Sequence, residues 1–169
     1  MRDPIDVVAR RLSRVGWIRR EMSEQLAEYR LAVGINMIGV ILSTALLGAM
    51  WGKYGQAMVA MVCFFALRAF SGGFHFRSLT LCWAVTVALF VAIGFVELPL
   101  AATGAVNTAA LLLVLWRAPR NVTGVPVYMY RYMKFFSGLI VGLNLIWLSD
   151  QAAVSFAAQA LLLLPHERR

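Results

Sequence analysis

The chain has 169 residues, of which 61% are hydrophobic and only 14% charged, with mean hydropathy +0.74. A soluble domain is nearer half apolar and a quarter charged, so lipid has to shield this excess and a soluble globular domain is excluded. The net charge of +8 would raise nucleic acid as a partner in a soluble protein. Here the basic residues flank apolar runs and no basic-aromatic motif suited to bases is present, so anionic lipid and membrane topology account for the charge. The two cysteines, Cys63 and Cys82, lie in or beside apolar runs and form no disulfide framework.

Residues 5–30 are too polar for a signal peptide. Ile5, Val8, Leu12, Val15, Ile18, Met22, Leu26 and Tyr29 recur at three- and four-residue steps, and arginines 10, 11, 14, 19 and 20 fill much of the remaining surface. This spacing predicts an Arg-rich amphipathic helix lying on the cytoplasmic membrane face, weakened near its middle by Gly16. Leu31 to Met50 is an uncharged run of the length needed to cross ~30 Å of hydrocarbon. Trp51 and Tyr54 follow where interfacial aromatics belong. Gln56 to Leu67 is a shorter second span that needs Gly55 and part of Ala69–Ser71 to reach across. Leu79 to Leu98 is the third span, closed by Pro99, and Leu100 to Trp116 the fourth, ended by Arg117. Two prolines and a glycine make a loop of the basic stretch 117–134. Phe135 to Leu148 and Ala152 to Leu164 are the last two apolar runs, broken at Ser149-Asp150 and followed by a tail, 165–169. Each is short for a full crossing, and two spans are favoured over one re-entrant hairpin.

With six spans and the N-terminus inside, fifteen of the sixteen Lys and Arg fall on the cytoplasmic side, in the N-terminal segment, the loops 68–78 and 117–134, and the tail. Only Lys53 falls outside, where the turns carry Glu97 and Asp150 instead. This is the asymmetry of the positive-inside rule. The expected fold is therefore all-α: one polytopic membrane helical bundle over residues 1–169, with about six transmembrane segments and an N-terminal amphipathic interfacial helix.

The stretch Arg68 to Cys82 departs from this generic pattern. It gathers two arginines, the pair Gly72-Gly73, His75 and Cys82 within fifteen residues. A histidine beside a thiol takes its proton and favours the nucleophilic thiolate. Seven residues along a straight helix place the two groups roughly 10.5 Å apart at 1.5 Å per residue, too far for a hydrogen bond. The glycines offer the remedy, since they permit backbone angles that fold the preceding segment back. The helix then begins near Ser78 or Leu79, with Ser78 as N-cap and Cys82 in its first turns, where the positive helix end favours an anion. Cys63, in an apolar helix, reads as packing. Asn36, Asn107 and Asn144 are polar residues within apolar helices, a setting in which asparagine more often joins helices than takes part in chemistry. None of them can be named as a third residue orienting the histidine.

The pattern Arg68-x3-Gly72-Gly73-x-His75-x6-Cys82 resembles the signature of the accessory gene regulator B (AgrB) family. The basic amphipathic N-terminus and Ala118-Pro119 followed by Pro126 extend the resemblance over most of the chain. That family is described as membrane cysteine endopeptidases that process quorum-sensing pro-peptides. The resemblance implies Cys82 as nucleophile, His75 as base and then acid, and a thioester that a Cys or Ser of the peptide attacks to close a thiolactone or lactone. It makes Arg68 a holder of a carboxylate or oxyanion, and Gly73 a shaper of the loop that presents an oxyanion-hole N–H, with Gly72 and Ser78 in support. The implied partner is an AgrD-like pro-peptide, whose acidic C-terminal tail Arg117, Arg120, Arg131 and Lys134 would guide. The implied location is a bacterial cell membrane with the active site at the cytoplasmic face. No metal or cofactor is expected, and a homodimer is left open. The competing reading is a non-enzymatic small transporter or peptide-binding module, which would be indifferent to loss of Cys82.

Overall fold

A computed structural model describes residues 3–13, 24–74, 78–120, 122 and 125–164. Among these residues the secondary structure is seven helices and no strand. They are α1 (Pro4–Ser13), α2 (Glu24–Met50), α3 (Tyr54–Ser71), α4 (Leu79–Gly94), α5 (Leu100–Arg117), α6 (Met129–Trp147) and α7 (Asp150–Leu161). The all-α bundle is as expected. Several boundaries differ from the sequence reading. Residues 24–30 belong to the same helix as the first span, because no breaker precedes Gly34 and Glu, Gln, Leu and Ala favour the helix. Residues 14–23, with Gly16, lie outside the described residues. α3 reaches Ser71, so Arg68 sits on a helix and not in a loop. α6 begins at Met129, so Tyr130, Arg131, Tyr132 and Lys134 are helical; Pro126 is the last breaker before them.

Among the described residues, three helices are long and apolar enough to cross a membrane: Arg30–Met50 within α2, α3 and α5. α4 is a shorter apolar helix. α7, at 12 residues, is roughly 18 Å long, well under the hydrocarbon thickness. The helices nevertheless alternate between two ends. One end holds the turns Trp51–Lys53, 95–99 and 148–149. There Lys53 Nζ meets Glu97 Oε1 at 3.3 Å, the Leu98 N–H donates to Asp150 Oδ2 at 3.2 Å, and Gln151 Nε2 donates to the Val96 carbonyl at 3.2 Å. The opposite end holds residues 71–74, 78, 118–120, 122, 125–128 and 162–164.

α3 is the hub and packs against α2, α4, α6 and α7, while α7 is wedged between α3 and α5. One apolar cluster joins α2, α3 and α4 through Val40, Met61, Phe64, Val87 and Phe90. A second joins α3, α5, α6 and α7 through Leu67, Val114, Val141, Phe156 and Leu163. Small residues permit the close approach: a Cβ on Gly48 would stand 3.2 Å from that of Ala57. The outward faces keep large apolar side chains exposed, among them Ile38, Leu42, Leu46, Leu112 and Ile146, as a lipid-facing surface requires.

Candidate functional site

The site is built on the start of α4. Ser78 has an extended backbone (φ −94°, ψ 122°), and its Oγ accepts the Leu81 N–H at 3.1 Å, which is the N-cap read from the sequence. The Cys82 N–H donates to the Ser78 carbonyl at 3.0 Å and closes the first helical turn. The thiol therefore stands at the positive end of α4. His75 and Arg77 lie outside the described residues.

Asp3 shares this helix end. Its carboxylate accepts from Ser78 Oγ at 2.6 Å, from the Thr80 N–H at 3.2 Å and from Thr80 Oγ1 at 2.5 Å. It also accepts from the Ile5 N–H at 3.1 Å, so one side chain caps both α1 and α4. Desolvation opposes its charge, but the hydrogen bonds from Ser78 and Thr80 outweigh it and hold the carboxyl at about 2, below its ordinary 3.8.

Cys82 opens on a cavity of about 310 Å³ between α2, α3 and α4, lined also by Asn36, Phe64, Arg68, Phe74 and Leu162. Arg68 and Cys82 are within electrostatic reach of each other there. The guanidinium is held from two directions. Its Nη2 donates to the Phe74 carbonyl at 2.6 Å and its Nη1 to Gln159 Oε1 at 3.1 Å, with the Phe64 ring at 5.9 Å.

The segment 71–74 is pinned to three other parts of the chain. Gln159, fully buried on α7, donates its amide to Ser71 Oγ at 3.0 Å and to the Gly72 carbonyl at 2.6 Å. The Arg120 N–H donates to the Ser71 carbonyl, and the Gly73 N–H to the Arg120 carbonyl, both at 2.9 Å. The Phe74 N–H donates to the Leu162 carbonyl at 3.0 Å. Both glycines have positive φ, +68° and +124°. A Cβ on Gly72 would fall 2.1 Å from the Arg120 carbonyl oxygen, so only glycine lets these backbones meet. The Gly72 N–H closes α3 on the Arg68 carbonyl. The Gly73 N–H is bonded to the Arg120 carbonyl, so in this arrangement both glycine N–H groups are engaged by the backbone.

The four basic residues expected to guide an acidic tail are not among the side chains lining the cavity. Arg120 Nη1 donates to the Leu163 carbonyl at 3.0 Å and so ties off the end of α7. The Arg117 guanidinium stacks over Trp116 at 4.1 Å. Arg131 and Lys134 are exposed on the first turns of α6. Cys63 packs against the second apolar cluster. The three asparagines separate cleanly. Asn144 Nδ2 donates to Asn107 Oδ1 at 2.9 Å and Asn107 Nδ2 to the Val141 carbonyl at 3.1 Å, so this pair joins α5 to α6. Only Asn36 reaches the cavity.

Gln159 is the residue that sequence reasoning missed. Its signal was present: Ser155 and Gln159 are the polar members of the run 152–164, four apart and so on one helix face. What they face emerges only from the packing of α7.

Among curated proteins and among solved structures nothing matches the chain. The family model AgrB, Accessory gene regulator B, matches residues 5–148, which takes in α1 through α6 with Arg68, the glycine pair and Cys82. Proteins of that family are membrane proteins that work with a peptide precursor in quorum sensing. With the match covering most of its length, the chain belongs to the accessory gene regulator B family.

Proposed function

We propose that this protein is a membrane cysteine endopeptidase that cleaves an AgrD-like pro-peptide and passes its acyl group on to form a cyclic thiolactone or lactone. The observation that carries the reading is that Cys82, on the first turn of the Ser78-capped α4, opens on the same cavity as the half-buried Arg68. The Cys82 thiolate attacks the scissile carbonyl carbon while His75 takes the thiol proton. The peptide C–N bond then breaks, and the leaving amine of the C-terminal tail receives that proton from His75. A Cys or Ser side chain of the peptide next attacks the thioester, closes the ring and releases Cys82. An apolar cavity favours this second step, because water that reached the thioester would hydrolyse it. Arg68 carries the fixed positive charge of the site and faces the developing oxyanion or a substrate carboxylate.

In this reading the protein crosses a bacterial cell membrane several times. The end bearing residues 71–74 and 118–120 faces the cytoplasm, and the exposed Arg131 and Lys134 meet the acidic tail or anionic lipid. The test is co-expression with a candidate pro-peptide, comparing wild type with Cys82→Ala and His75→Ala by mass spectrometry. Loss of tail release in both variants is expected. Unchanged processing in Cys82→Ala would eliminate the thiol mechanism.

A further inference from the structure

Among the described residues, Asn36 Oδ1, Thr44 Oγ1, Trp83 Nε1, Arg117 Nε, Ser137 Oγ and Ser155 Oγ are buried without a hydrogen-bond partner, and of these residues only Asn36 lines the cavity. Asn107 and Asn144 satisfy each other and nearby carbonyls. Asn36 stands on α2, on the wall of the cavity that holds Arg68 and Cys82. Its amide oxygen is inaccessible and has no hydrogen-bond partner among the described residues. Its neighbours on that wall, Val33, Met37 and Val40, have no polar side-chain atom to offer. The two guanidinium nitrogens of Arg68 that point inward are engaged by Phe74 and Gln159. A buried carbonyl oxygen without a donor is rare in a folded chain, and a peptide entering the cavity that Asn36 lines would bring backbone N–H donors to its side chain.

We propose that Asn36 is a substrate-binding residue whose amide oxygen accepts a backbone N–H of the peptide segment lying beside Cys82. The inference rests on the processing reading and adds to it the group that recognises the peptide backbone. The remaining lining is largely apolar, which suits a segment with apolar side chains and one N–H directed at α2. The amide turns toward that N–H about χ2, a soft torsion. One hydrogen bond from an uncharged donor orients the chain without selecting its side chains. Asn36 then fixes how the scissile carbonyl is presented to the sulfur, while the shape of the cavity chooses the sequence.

The test uses the full chain in lipid nanodiscs in a Cys63→Ser background, so that Cys82 alone reports. Two thiol reagents are compared: iodoacetyl-Leu-Leu-dimethylamide, which carries peptide N–H groups, and methyl methanethiosulfonate, which carries none. Asn36→Leu, close in shape but without the acceptor, is expected to slow labelling by the peptide reagent about tenfold, or ~1.4 kcal/mol. Labelling by the small reagent should change less than twofold. One of the two single-ester analogues of the peptide reagent should show the same tenfold loss on the Asn36 protein and no further loss on Asn36→Leu, the signature of a direct contact. Equal slowing of both reagents, or no slowing of either, would overturn the proposal. If Asn36→Leu does not fold, ester analogues that react with the Asn36 protein as fast as the amide reagent overturn it as well. Processing that survives Cys82→Ala would remove the protease reading but leave the labelling result standing, so the two failures are distinguishable.

Discussion

At the scale of single residues, the site is a matter of which polar groups are already committed. Arg68 could serve only as a topology-setting charge if it were free at the membrane surface. Instead its guanidinium is fixed by Phe74 and Gln159, and a charge held in place stabilises a developing charge without reorganising. Gln159 is the shared partner that fixes both Arg68 and the Gly72 carbonyl. Replacing it with leucine strands a guanidinium N–H and a carbonyl in an apolar surround, at about 1–3 kcal/mol per buried unpaired group. Gln159→Leu is therefore expected to lower stability by about 2–6 kcal/mol and to reduce peptide processing tenfold or more. Thermal unfolding in detergent micelles and mass spectrometry of the products provide the two readouts. Gln151→Leu is the matched control: its amide donates to the Val96 carbonyl and accepts from Ser149 Oγ, both at the opposite end, so processing should stay near wild type.

At the scale of elements, α1 and α4 are tied through Asp3. The carboxyl is held at about 2 against an ordinary 3.8, so it stays ionised throughout the physiological range. A group with its folded pKa depressed contributes its stabilisation fully above the unfolded value and loses it as pH falls toward the folded one. The docking of α1 should accordingly be constant from neutral pH down to about pH 4 and weaken between pH 4 and 2. Asp3→Ala should weaken it above pH 4 by about 1 kcal/mol, as for a lost N-cap. Hydrogen exchange of residues 4–13 measures this; protection that does not change between pH 4 and 2 would show that α1 is held by its apolar face alone. The start of α4 was legible in the sequence for a local reason: Ser78 is followed by an unbroken apolar run, and capping is decided within four residues. The ends of α2 and α6 were misjudged for a related reason. Charged and aromatic residues at an interface look like loop in composition, yet the Glu, Gln, Arg, Lys and Met among them are good helix formers, and the helix runs on until a proline or glycine stops it. The roles of Gln159 and Arg120 were not legible. Each depends on a partner segment brought alongside by packing, and nothing in the local sequence names that partner.

At the scale of the whole molecule, the alternation of the helices between two ends agrees with the charge count. Lys53, Glu97 and Asp150 gather at one end, and Arg68, Arg117 and Arg120 near the other. The Lys53–Glu97 pair is largely exposed, with Glu97 80% accessible, and contributes under about 1 kcal/mol, so its value lies in marking that end and not in holding it. If the positive-inside rule sets the orientation, single cysteines placed at Leu98 and Val127 in a cysteine-free background should label from opposite sides. An impermeant maleimide on intact cells should modify Leu98→Cys, and Val127→Cys only after lysis. Modification of both before lysis would refute the arrangement of ends.

The pinning of the 71–74 segment by α7 also sets an order in time. Gln159 lies 91 residues after Arg68. Cys82 precedes Gln159 by 77 residues, so at roughly 5–20 residues per second of synthesis it is made and inserted some 4–15 s before the amide that steadies its neighbouring loop emerges from the ribosome. During that interval the thiol exists but its surroundings are unfinished. Under the proposed function, a nascent chain paused before Gln159 should thus carry the thiol and yet process nothing, so that cutting would be withheld until translation has passed α7.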